Sequence, residues 1–257
     1  MRNSMLAVVL ACFVFVGVPV ISSAADVDYS LGLGVGFVPD YEGSEDYEAV
    51  PVPYFSAQWK NNGRYVTLDG SVLKINLLAE ETWSFGPFFK YRKKRDDDVD
   101  NNAVSKMKKI DAAVEAGAFV GYKFESWDFG IQVATDVSNE HEGTLATART
   151  GYTFKADRMS TRIGASITYA NSDYMDTYFS VDAKDSARSG LSTYNADSGI
   201  KDIGVDLMLR YSMTDNWNIR GALAYIALLN DAKDSPVVDD EGESGQFKAS
   251  VVVIYNF

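Results

Sequence analysis

Cysteine is almost missing from this chain: Cys12 is the only one, and it falls in the amino-terminal apolar segment. A chain processed beyond that segment can hold no disulfide and no thiolate metal centre. Histidine is equally scarce, so imidazole chemistry has a single candidate, His141. Basic residues are outnumbered, with 24 Lys and Arg against 36 Asp and Glu and a formal charge of −12. Nucleic-acid phosphates need basic partners, so that balance argues against DNA or RNA as a ligand. Long apolar runs are also lacking. Beyond residue 21 nothing reaches the roughly 18 consecutive apolar residues that a membrane-spanning helix requires.

The amino terminus has the pattern of an export signal. Arg2 precedes an apolar run from Met5 to Ile21, which ends at Ser22-Ser23-Ala24-Ala25, a small-residue cleavage pattern. Residues 1–24 are therefore expected to form a cleaved signal peptide. A permanent anchor would be followed by basic residues, whereas Asp26 and Asp28 come next. Val9-Leu10-Ala11-Cys12 loosely resembles a lipobox, but the apolar run continues well past Cys12. Residues 25–257 are expected to make one domain.

What fills those residues is alternation. At the carboxyl end Phe247, Ala249, Val251, Val253, Tyr255 and Phe257 share one face of a period-two segment, with Gln246, Lys248, Ser250, Val252, Ile254 and Asn256 opposite. Similar patterns cover Tyr29 to Phe37, Phe55 to Trp59, Trp83 to Tyr91, Ile110 to Phe124, Trp127 to Val137, Ala146 to Phe154, Ile163 to Tyr169, Ile203 to Met213 and Trp217 to Leu229. Almost every charge inside a strand opposes the aromatics. A soluble barrel would reverse this arrangement. The pattern predicts an all-β fold, a transmembrane antiparallel β-barrel whose apolar side faces lipid. The terminal strand, with Tyr255 and Phe257 as membrane-insertion signal, resembles that of Gram-negative outer-membrane barrels.

Connection lengths set the strand count. Short links occur at Lys60 to Gly63, Ala79 to Thr82, around Ser126, at Lys155 to Met159 and at Thr214 to Asn216; long polar links occur at Pro39 to Glu48, Lys93 to Lys109, Asn171 to Lys201 and Asn230 to Gly245. Outer-membrane barrels keep short turns in the periplasm and long loops outside. The turns at 60–63 and 79–82 share a side only if two strands separate them. Asp69-Gly70 supplies the hairpin signal that splits 64–69 from 72–78. Twelve strands result, with ten as the alternative if that short strand fails.

Functional candidates follow from the two faces. Lys90, Asp111, Glu115, Lys123, Asp128, Asp136, Arg149, Arg162, Asp206, Arg210 and Arg220 are expected to face the lumen. They either pair into a bracing network or line a narrow charge-selective pore. In the loop 171–201, Tyr174, Met175, Tyr178, Phe179, Leu191 and Tyr194 are too apolar for a merely solvated segment, and predict a plug or a binding surface. His141 is read as an exposed turn residue, because no nucleophile motif accompanies it. Asp96, Asp97, Asp98 and Asp100 offer hard oxygen ligands without EF-hand spacing, so a solvated loop is expected and no metal or other cofactor is implied.

Several segments resemble the MipA/OmpV family in order along the chain: LGLGVGFVPDYEGSEDYEAVPVPYF (31–55), IDAAVEAGAFVGYKF (110–124), YMDTYFSV (174–181), SGLSTYNADSGIKDIGVDL (189–207) and MTDNWNIRGALAYIALLNDAKDSPVV (213–238). Ser180 departs from the family's usual glycine, and KKRDDDVD at 93–100 belongs to no motif of it. The resemblance implies a non-catalytic barrel in the outer membrane, in contact with lipid and lipopolysaccharide. The namesake branch is described as a scaffold joining a membrane-bound murein lytic transglycosylase to a bifunctional murein synthase. Other members are discussed as porins, solute-binding barrels or adhesins, and a rim-located hydrolase is the third reading.

Overall fold

The computed structural model describes residues 27–60 and 62–257; the expected signal over residues 1–24 lies outside them. Twelve strands follow in order: β1 (Val27–Pro39), β2 (Tyr47–Trp59), β3 (Tyr65–Asp69), β4 (Val72–Asn76), β5 (Trp83–Arg92), β6 (Ala113–Phe124), β7 (Trp127–Asp136), β8 (Thr144–Ala156), β9 (Met159–Ala170), β10 (Gly199–Ser212), β11 (Trp217–Leu228) and β12 (Gly245–Asn256). Each pairs antiparallel with its sequence neighbours, and β12 returns to β1, giving a closed barrel. The closing seam runs from Ser30 opposite Asn256 to Phe37 opposite Ala249. No helix among the described residues is long and apolar enough to cross a membrane.

The two faces are as different as the alternation predicts. Leu33 is 67% exposed and Ile131 62%, and both belong to an outward belt that includes Val35, Val205, Ile163 and Leu223. Large aliphatic groups at that exposure, all around a closed wall, need hydrocarbon rather than water around them. Inward, Val252, Ile254 and Tyr54 form a small apolar packing group. It fits because β1 presents glycine beside it: a Cβ on Gly34 would collide with the Val251 carbonyl and Val252 backbone.

Strand parity places six links at one end and five at the other. The loop end carries 40–46, 70–71, 93–112, 137–143, 171–198 and 229–244; the turn end carries 60–64, 77–82, 125–126, 157–158 and 213–216. The β3–β4 hairpin falls where the expected split between 64–69 and 72–78 puts it. Asp69 pairs with Val72, so Gly70 and Ser71 form the turn, and the positive φ of 58° belongs to Gly70. β6 begins at Ala113 rather than Ile110, because Ile110 leaves the barrel to bridge with Arg95. Among the described residues the loops also hold a 3-10 turn at Val104–Lys106 and four α-helices: α1 (Ser172–Phe179), α2 (Ala183–Ser189), α3 (Asn230–Lys233) and α4 (Pro236–Asp239).

A lysine at Ile131, mid-strand on the lipid face, should destabilise the barrel by about 2–4 kcal/mol in reversible urea unfolding from vesicles. Ser250→Gln on the lumen face should shift the same measurement by no more than about 0.5 kcal/mol.

Candidate functional site

The loop end is covered by a packed lid. Asn171 caps α1 by accepting from the Tyr174 amide at 3.3 Å, and the helix then buries Tyr174, Met175, Tyr178 and Phe179. These pack with Leu145, Leu228 and Val238, which come from the strand ends and α4. Leu191 is buried in an adjoining group with Tyr41, Val104 and Val237, and Tyr194 is half-buried between the two. Polar contacts tie the loops together: Ser235 Oγ donates to the Phe179 carbonyl at 2.5 Å, and Arg95 Nη1 to the Tyr178 carbonyl at 2.8 Å.

Beneath α1 the wall presents charge. Lys90 and Arg92 point inward from the loop end of β5, and Glu115 faces Lys90 across the β5–β6 register. Arg92 Nε donates to Glu115 Oε1 at 2.6 Å, and Lys90 Nζ stands 3.4 Å from Glu115 Oε2. Arg92 also approaches Glu42, from the β1–β2 loop, at 3.6 Å. Lys201 pairs with both Glu42 and Asp202, and the Tyr174 hydroxyl donates to Glu42. The Arg92 guanidinium lies over the Tyr174 and Tyr178 rings at 4.9 and 5.3 Å, within cation–π range. Lid aromatics and wall charges thus form one cluster.

Electrostatics favour this arrangement as drawn. Burial alone would raise the Glu42 carboxyl, but the Lys201 and Arg92 charges and the Lys201 and Tyr174 hydrogen bonds outweigh it and hold Glu42 well below the usual carboxylate range. Burial pushes the Tyr174 phenol well above its ordinary value, so it remains a donor to Glu42.

His141 is not the exposed turn residue that its sequence context implies. It is 3% exposed, with its ring edge-on to Tyr174 at 5.3 Å and Tyr178 at 5.5 Å. Asp136 causes this by accepting the amides of Ser138, Glu140, His141 and Glu142, which curls the 137–143 loop inward. The Gly143 amide donates to Nδ1 at 3.0 Å, and Nε2 stands 3.4 Å from Glu115 Oε1. Ser138 Oγ is bound to Asp136 instead, so no hydroxyl nucleophile meets this imidazole among the described residues. The chemistry of the cluster is that of a lock between lid and wall.

The remaining candidates separate into pairs and singles. Arg162 holds Asp128 through two hydrogen bonds of 2.9 and 2.8 Å, and Asp206 at 2.7 Å. Arg220 holds Asp69 at 2.7 and 2.6 Å and lies over the Tyr54 ring. Lys123, Arg149 and Arg210 are exposed within the lumen, with no ion pair among the described residues. Asp111 lies in the link before β6 and not in the wall, so it is not a lumen residue: the strand starts at Ala113, three positions later than the Ile110 start that its alternation implies. Oxygen atoms of Asp96, Asp97 and Asp98 lie within 4.8 Å of one another, but Lys94 pairs with Asp96 and Asp98, and Lys109 with Asp97. Asp100 bonds through its backbone amide to Asp40 at 3.1 Å. Tyr255 and Phe257 lie on the outer face, and Tyr255 meets Trp217 and Phe257 edge-on.

Sequence reasoning missed Glu42, Lys74, Arg92 and Lys201. Arg92 continues the inward period of Lys90 and Lys74 alternates with Leu73 and Ile75, so both were open to the same rule. Lys201 was not: it is the extra residue of a register shift between Ile200 and Asp202, which breaks the period.

Glu42→Gln should leave Lys201 with one partner and remove the lid's central anion. Breaking a buried pair costs on the order of 3 kcal/mol, so the lid should open roughly a hundredfold more often, read as faster limited proteolysis within 180–191 while the strands stay intact. A depressed folded-state value means the Glu42 contact is complete above the ordinary carboxylate range and is lost only as pH falls below it. Wild-type protection should therefore hold between about pH 7 and pH 5.

Comparison with known proteins gives the family. Residues 31–257 match the family model described as MltA-interacting protein MipA. The MltA-interacting protein of Escherichia coli strain K12 is 24% identical over 221 residues, covering 84% of this chain and 86% of that protein. Outer membrane protein OmpV of Vibrio cholerae is 27% identical over 156 residues, 61% of this chain and 59% of its own. A solved outer-membrane channel from Pseudomonas putida F1 aligns with 90% of this chain and 96% of its own at 9% identity and a TM-score of 0.46, a distant likeness. With a family match that spans β1 to β12, the chain belongs to the MltA-interacting protein MipA family and is an outer-membrane β-barrel.

Proposed function

We propose that this barrel is a non-catalytic scaffold at the inner face of the outer membrane, docking a murein lytic transglycosylase and a bifunctional murein synthase through its periplasmic rim. The observation that carries this reading is the family match, together with a relative named for its interaction with MltA that aligns over most of both chains. The lid adds a physical reason. With the loop end packed shut by α1 and its neighbours, the turn end offers the open approach.

That end also limits how docking is built. Its five links are two to six residues long, and a specific interface buries about 800 Å² per partner. No single turn supplies that area, so contacts are shared among several, with Lys60 to Gly63, Ala79 to Thr82 and Thr214 to Asn216 among them. Lipid contact at the outward belt and lipopolysaccharide around the loops complete the proposed surroundings.

A gated pore is the second reading, favoured by the unpaired lumen cations Lys123, Arg149 and Arg210 below the lid. In this reading the lid is the gate.

Affinity capture from native membranes should recover both murein enzymes. Replacing turn 79–82 or 214–216 alone should weaken recovery, and replacing both should abolish it; full recovery by the double replacement, or none by the wild type, contradicts the scaffold. For the pore, reconstituted wild-type protein should give no conductance steps and a deletion of 174–194 should give them. Silence from both removes the pore, and loss of surface binding without conductance points to adhesion instead.

A further inference from the structure

We propose that the periplasmic half of the lumen contains a binding site for a small phosphate-type oxyanion. The site begins as a hollow in the barrel wall. Ser84 pairs with Gly121, Gly121 with Gly130, and Gly130 with Arg149, so one row across β5 to β8 has two adjacent positions without side chains. A cavity of about 140 Å³ results. Water occupies roughly 30 Å³ per molecule in the liquid, so the space suits a few waters or one oxyanion. A Cβ on Gly121 would strike Ser84 Oγ, and one on Gly130 would press on Arg149 Cγ at 3.2 Å. Bare wall is thus what gives the serine hydroxyl and the arginine stem their places.

Charge gives the hollow its chemistry. Lys74, Lys123 and Arg149 all line it, and none has a carboxylate within ion-pair distance among the described residues. Lys74 Nζ reaches only the Gln132 amide oxygen, at 3.3 Å, and stands 5.1 Å from the centre of the Phe119 ring. Asp128 is the one carboxylate in the lining, and Arg162 engages both of its oxygens. Arg92 and Arg220, elsewhere in the lumen, each hold a carboxylate.

Asp128 stands opposite Lys123 in the β6–β7 register, yet the hollow still carries more positive than negative charge, and Lys74 and Arg149 repel one another across it; a bound anion would relieve that repulsion. A guanidinium fork beside ammonium and hydroxyl donors matches the several oxygens of phosphate. The chain as a whole is acidic, at −12, so attraction at this point is a local design and not a general field. Entry is from the turn end, because Lys123 and Asp128 flank the β6–β7 turn, while the lid covers the opposite end.

The test is calorimetric titration of the folded, detergent-solubilised barrel with inorganic phosphate at low ionic strength. Saturable one-site binding is expected, displaced by sulfate and weakened by salt. Arg149→Gln and Lys74→Met should each reduce affinity by about tenfold or more, Arg149→Lys should recover only part of the loss because it keeps the charge without the fork, and Arg210→Gln should leave it unchanged. Phosphate should also protect Ser84→Cys from a maleimide, a readout that alters no charge. Absence of phosphate binding at millimolar concentration, equal binding by the Arg149→Gln and Lys74→Met variants, or no protection of Ser84→Cys would overturn the site.

Discussion

Hydrocarbon offers no hydrogen bonds, so a strand that crosses it must have both backbone edges paired within the protein. The β1–β12 seam meets that demand by leaving no free edge in the sheet. Everything else in this molecule is arranged around the resulting cylinder. Its outer surface must be apolar, its interior receives the polar residues, and its two ends are the only places where chain can depart from the strand. The period of two that builds the wall also sorts aromatics to lipid and charges to the lumen.

Interior charges in so narrow a space are costly unless opposed. The lumen answers in two ways. Below the lid, Arg162 and Arg220 are held by carboxylates on other strands, Asp128, Asp206 and Asp69, which cross-braces the wall. At the loop end, Arg92 and Lys201 are opposed by Glu115, Asp202 and Glu42, and Glu42 comes from a loop, so charge compensation there is also lid attachment. Tyr174 joins apolar packing to that network through its ring and hydroxyl. A cap held by both means is harder to lift than one resting on greasy contact alone.

Much of the barrel was legible because one local rule governs it. Alternation and link length were enough to place twelve strands, including the short β3, since two neighbouring turns could share an end in no other way. The same rule supplied the charges expected to face the lumen. Asp111 failed because β6 starts later, and Lys201 because a register shift interrupts β10. His141 illustrates a different limit: its burial depends on four amides gathered by Asp136 and on tyrosines that arrive from another loop. The Glu42–Lys201 contact spans 159 positions of sequence, and no periodicity encodes which loops meet. Local pattern wrote the wall, while the lid was written in long-range contacts.

The loop end is a folded cap and not a set of solvated loops. Amide hydrogen exchange of the barrel in lipid nanodiscs tests it directly, since exchange reports opening of individual segments. Amides of Met175 to Phe179 should exchange on the timescale of the barrel strands and far more slowly than those of the 157–158 and 213–216 turns. Exchange of these lid amides as fast as the turns would mean that the loops are solvated and the cap does not exist.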